Sequence, residues 1–144
     1  MINNKQVAQT TVNNPSSQEF FNSLKDQLLD PLALELANQV QWHNLNLFPS
    51  RQSDLYPVVI SGEGPPILLL HGFDSSFLEF RRLVPLLRDH HKLIIPDLFG
   101  FGFCPRPSNA VYGLQALISH LNAVLSQFTN KEPVGLIGAS MGGA

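Results

Sequence analysis

Polar residues fill the first fifteen positions, and apolar ones become periodic only after them. Met1 to Asn14 is rich in Asn, Gln and Thr, and residues 1–15 read as a disordered tail. Ser16 and Glu19 then form an S-x-x-E capping box, followed by Phe20, Phe21, Leu24 and Leu28 at helical spacing. Asp30-Pro31 interrupts that helix. Pro31 opens a second one through Leu32, Leu36 and Val40, because proline suits the first helical turn. Residues 16–39 therefore read as a helical N-terminal extension to a larger unit over 40–144. From Val40 the period shifts toward two. Trp42, Asn44 and Asn46 alternate with His43, Leu45 and Leu47, as in a strand with one covered face. Leu55 to Ile60 is a second strand candidate, closed by the turn residues Ser61 to Pro66. The block Ile67 to Leu70 is short and wholly apolar, which suits a central parallel strand buried on both faces.

Phe77, Phe80, Val84 and Leu87 form a helical stripe that Pro85 splits into two pieces. Leu93-Ile94-Ile95 is a further buried strand ending at Asp97, and a Gly- and Pro-rich loop follows from Leu98 to Asn109. Leu114, Leu117, Ile118, Leu121, Leu125 and Phe128 line one helix face, and Val134 to Gly138 is another apolar strand. The order β-β-β-α-β-α-β predicts an α/β fold, a mostly parallel sheet with flanking helices and right-handed crossovers.

Composition narrows the function classes. The 144 residues suit one domain, and 44% hydrophobic against 14% charged residues argues against an intrinsically disordered chain. Nine Lys plus Arg against eleven Asp plus Glu leave a formal charge of -2, so no broad positive field exists to hold nucleic acid or an anionic membrane. Cys104 is the one cysteine; it makes no internal disulfide and no thiolate metal site. Apolar runs fall far short of the roughly 20 residues of a membrane span. The N-terminus has no apolar signal region, so a cytoplasmic protein is the expectation.

The segment richest in chemistry is Gly138-Ala139-Ser140-Met141-Gly142, a G-x-S-x-G motif directly after an apolar strand. A serine on a strained strand-to-helix turn projects its hydroxyl from the carboxyl end of the sheet, and flanking glycines avoid collisions at the bend. Two further segments agree. His71-Gly72-Phe73-Asp74-Ser75-Ser76 follows the strand at Ile67 to Leu70, and Asp97-Leu98-Phe99-Gly100-Phe101-Gly102-Phe103-Cys104-Pro105 follows the strand at Leu93 to Ile95.

With these three motifs in this order, the chain from about Val40 to Ala144 resembles the N-terminal half of the α/β-hydrolase superfamily, in its serine-nucleophile branch. The resemblance implies Ser140 as nucleophile and the backbone N–H groups of Phe73 and Met141 as oxyanion donors. It implies structural duties for His71, Gly72, Asp97, Gly100, Gly102, Gly138 and Gly142. Cys104 reads as a buried spacer. A serine, not an aspartate, at the elbow separates this chain from relatives such as epoxide hydrolases and haloalkane dehalogenases, which attack with a carboxylate. The chemistry implied is hydrolysis of an ester, thioester, amide or carbon–carbon bond in a small-molecule acyl substrate, with no cofactor and no metal.

In that family the acid and the histidine follow the nucleophile, and neither occurs between Ser140 and Ala144. His43, His71, His90, His91 and His120 all lie upstream and read as solvated or structural. The expectation is a truncated chain that is inactive alone and self-associates through an exposed edge at 134–137. A non-catalytic remnant and a cofactor-free acyltransferase on the same scaffold are the alternatives. The cluster Phe99, Phe101 and Phe103 reads chiefly as loop packing, with lining of an apolar acyl pocket as the rival reading.

Overall fold

The computed structural model describes residues 15–48 and 51–144; most of the expected tail lies outside the described residues. Ser16 caps helix α1 (Ser17–Lys25): its side chain accepts the Glu19 N–H while the Glu19 carboxylate accepts the Ser16 N–H. Asp30 caps α2 (Pro31–Ala37) by accepting the Leu32 N–H, with Pro31 in the first turn. Local chemistry decides both starts, because the capping atoms lie within three residues of the groups they satisfy.

Among the described residues five strands follow: β1 (Val40–His43), β2 (Tyr56–Ser61), β3 (Pro66–Leu70), β4 (Lys92–Pro96) and β5 (Gly135–Gly138). They form one sheet in the order β1-β2-β4-β3-β5. The parallel part that the alternation of strands and helices predicts is β4-β3-β5; β1 with β2, and β2 with β4, pair antiparallel. The sheet is therefore mixed. β1 is shorter than its alternating pattern, because the Asn44 carboxamide oxygen accepts the Asn46 N–H and Asn46 turns to a φ of +52°. That side-chain turn takes the backbone out of the ladder.

Between β3 and β4 the chain makes a 3-10 helix at Phe77–Arg82 and the short α3 (Val84–Leu87), divided where Pro85 predicts. α4 (Leu114–Phe128) connects β4 to β5. One sheet face buries Leu69, Leu93, Ile95 and Val59 under Phe77, Phe80 and Val84, and α1 closes that layer through Phe21. The Phe21 ring lies 5.8 Å from Trp42, 6.0 Å from Phe77 and 4.9 Å from Phe103. The other face buries Val58, Leu68, Leu70 and Ile94 under α4.

The buried stripe of α4 is rotated from the one its leucines suggest. His120 and Val124 are its buried residues, whereas Leu114 and Ile118 are exposed. Packing against Tyr56 and Phe99 turns His120 inward, with ring separations of 5.6 and 6.3 Å. β5 ends the sheet, and Leu136 on it is 64% exposed. Among the described residues, no helix is long and apolar enough to cross a membrane.

Candidate active site

Every strand that ends near Ser140 contributes one loop to it. β5 pairs in parallel with β3, with Leu70 opposite Gly138, and the Ala139 N–H donates to the Leu70 carbonyl at 2.9 Å. The chain then bends sharply into a 3-10 helix, Ser140–Gly143. Ser140 sits on the bend with a φ of +50° and an exposed side chain. A non-glycine residue in this left-handed region carries strain of order 1–3 kcal/mol, which the surrounding packing must hold.

The two motif glycines show why the packing demands them. A Cβ on Gly138 would lie 2.1 Å from the Gly142 carbonyl oxygen, and one on Gly142 would lie 2.2 Å from the Leu70 carbonyl oxygen. Backbone meets backbone at both points, so neither position has a flexible neighbour that can yield. Gly72 differs: a methyl there would meet Ser140 Cβ at 3.4 Å, an ordinary contact. The close approach does place the His71-Gly72-Phe73 loop beside the serine.

His71 is fully buried and holds two loops at once. The Leu98 N–H donates to its Nε2 at 2.9 Å, and its Nδ1 lies 2.7 Å from the Gly72 carbonyl oxygen. Nε2 therefore supplies the lone pair and Nδ1 carries the proton, which makes the ring neutral. Burial also holds its pKa below the usual histidine value. With both nitrogens committed, His71 has no free atom for proton transfer to Ser140.

Asp97 is equally buried. Its Oδ1 accepts the Phe77 N–H and its Oδ2 the Phe103 N–H, both at 2.6 Å. Burial pushes its carboxyl up to about 7, while the two N–H donors pull it down. Gly102, at a φ of +54°, has room for nothing larger, since a Cβ would lie 2.3 Å from Asp97 Oδ2. Gly100, at +87°, lies against the Tyr112 ring, 2.9 Å from where its Cβ would stand. Cys104 is buried with Sγ 3.3 Å from the Asp97 carbonyl oxygen, and burial raises its thiol pKa, so the thiolate form is disfavoured.

The phenylalanines of this loop divide their work. Phe103 packs on the N-terminal side, against Phe21 and Phe77. Phe99 stacks on Tyr112 at 5.3 Å, and Phe101 stands 5.4 Å from Phe73. Phe99 and Phe101, with Leu98, Tyr112, Leu117, Ile118 and Met141, line an apolar cavity of about 720 Å3 that reaches Gly142. Phe103 thus packs, as the first reading has it, while Phe99 and Phe101 line a cavity.

The remaining histidines lie elsewhere. His43 packs edge-on against Phe128 at 4.8 Å. His90 and His91 pack against the Ser61 to Pro66 turn, which leads into β3, at the end of the sheet opposite Ser140. His120 faces Tyr56. Among the described residues, the Ser140 hydroxyl makes no hydrogen bond, and no group of three His, Cys, Asp or Glu side chains could hold a metal ion.

One contact has no forerunner in the motifs. Glu79 Oε2 accepts the Gly72 N–H at 2.8 Å. Ser76 and Glu79 repeat the S-x-x-E pattern, which would assign Glu79 to its own helix cap, yet its carboxylate turns to the neighbouring loop.

Residues 65–144 match the family profile described as alpha/beta hydrolase fold. Over 86 residues the chain is 36% identical to 2-hydroxy-6-oxo-2,4-heptadienoate hydrolase of Pseudomonas putida, covering 58% of this chain and 31% of that protein. Over 98 residues it is 33% identical to cis-3-alkyl-4-alkyloxetan-2-one decarboxylase of Shewanella oneidensis, covering 67% and 31%. The solved structure of the epoxide hydrolase CorEH superposes with a TM-score of 0.62 at 27% identity, over 72% of this chain and 34% of that one. The chain thus spans about a third of the length of the proteins it matches.

Proposed function

The chain belongs to the α/β-hydrolase family, and on that premise we propose that its residues supply the nucleophile and oxyanion hole of a serine-dependent acyl hydrolase. The observation that carries the reading is the Ser140 bend: a left-handed non-glycine residue, exposed, at the carboxyl end of β5, between two glycines that tolerate no side chain. Strain of this kind persists where a side chain must be presented in one direction.

Ser140 Oγ attacks the carbonyl carbon of an ester or related acyl compound as a histidine takes its proton. The tetrahedral oxyanion rests on the N–H groups of Phe73 and Met141, and water then releases the acyl group from the serine. Neither amide donates a hydrogen bond within the described residues, which supports this assignment. An oxyanion donor of this type contributes about 2.7–4 kcal/mol to transition-state stabilisation. The base is none of the five histidines, since His71 is committed and the others are remote or buried. Turnover therefore belongs to a protein that supplies a histidine and its acid from outside these 144 residues.

The test uses the full-length protein and p-nitrophenyl butyrate. Ser140→Ala is expected to lower kcat by more than about 1000-fold. Turnover that persists in this variant would overturn the assignment.

A further inference from the structure

The loop that presents the Phe73 N–H is held at two successive peptides, and only one of the two holders belongs to a motif. His71 Nδ1 bonds the Gly72 carbonyl oxygen at 2.7 Å, and this carbonyl shares its peptide with the Phe73 N–H. In a trans peptide the C=O and N–H point in opposite directions, so holding the carbonyl aims the amide the other way. The preceding peptide contributes the Gly72 N–H, which Glu79 Oε2 accepts at 2.8 Å. A methyl group built on Gly72 would stand 3.4 Å from Ser140 Cβ and 3.7 Å from Glu79 Oε2, so the serine and this carboxylate flank the same glycine.

We propose that Glu79 is a positioning residue for the oxyanion hole: its carboxylate fixes the Gly72 peptide and so keeps the Phe73 N–H aimed at the carbonyl that Ser140 attacks. This rests on the acyl-hydrolase reading above. Glycine has the widest backbone freedom of any residue, so with only the Gly72 carbonyl held the preceding peptide can rotate and carry the loop with it. Glu79 removes that freedom. It also occupies the Gly72 N–H, while the Phe73 N–H of the next peptide donates to no group among the described residues. Glu79 itself never touches the reacting atoms. It starts from the 3-10 helix that Ser76 caps, where Leu78 N–H donates to Ser76 Oγ, so the carboxylate is delivered from an anchored turn. Asp97 anchors the same turn through the Phe77 N–H.

In the full-length protein, Glu79→Ala is expected to lower kcat about tenfold, part of what losing a whole oxyanion donor costs, with KM changed by less than about twofold. Glu79→Gln keeps an acceptor oxygen and should restore kcat to within about twofold of the native value. Amide hydrogen exchange at Gly72, read by NMR, should be slow in the native protein and in Glu79→Gln, and faster in Glu79→Ala. Native kcat in Glu79→Ala overturns the role of Glu79, as does a Glu79→Gln variant as impaired as Glu79→Ala, or Gly72 exchange that ignores Glu79→Ala. Turnover that survives Ser140→Ala instead overturns the hydrolase reading and the loop's role with it. The two failures are thus told apart by the Ser140 variant.

Discussion

Replacing His120 with leucine should stabilise this protein, and the gain should grow in acid. His120 lies in the middle of α4, fully buried, and neither ring nitrogen has a hydrogen-bond partner among the described residues. An unpartnered buried polar group costs about 1–3 kcal/mol. Burial also pushes its pKa from 6.5 down to about 4. The sign follows from which state holds the proton. Between pH 6.5 and pH 4 the unfolded chain carries a protonated histidine while the native ring stays neutral. Native stability therefore falls as pH drops through that window, by about 1.4 kcal/mol for each pH unit. His120→Leu removes both penalties with a side chain of similar volume. It should exceed the native protein by about 1–3 kcal/mol at pH 7.5, and the gap should widen by about 2 kcal/mol at pH 5. Urea titration followed by the fluorescence of Trp42, the one tryptophan, measures both values. A variant no more stable at pH 7.5, with a gap that stays constant to pH 5, would refute the reasoning.

Two further outcomes follow from the site and the sheet edge. Gly142→Ala drives a methyl to 2.2 Å from the Leu70 carbonyl oxygen and should cost about 3 kcal/mol or more. Gly72→Ala meets only an ordinary contact, so equal urea midpoints for these two variants would contradict the packing argument. Leu136→Glu places a charge on the exposed edge strand β5 and should shift the 144-residue chain toward smaller species in sedimentation velocity. An unchanged size distribution would mean that β5 is not a contact between copies.

How much of this was visible along the chain depends on the range of each interaction. The starts of α1 and α2 were legible, because Ser16 and Asp30 cap groups two or three residues away. The Ser140 bend was legible too, since its glycines answer clashes that any such turn creates. Glu79 was not: its pattern points to its own helix, and only the fold brings Gly72, seven residues earlier, within reach. His120 looks like one more polar position of a helix until Tyr56 and Phe99 rotate it into the core.

By itself the sequence determined where strands and helices alternate, which residues cap and break them, and that a serine stands between glycines after an apolar strand. These are short-range steric and hydrogen-bonding demands, carried by neighbours in the chain. Only the tertiary structure decided that β4 inserts between β2 and β3, that Phe103 packs while Phe99 and Phe101 line a cavity, and which carboxylate holds the Gly72 amide. Those outcomes depend on contacts between distant segments, and no local pattern encodes which distant partner arrives.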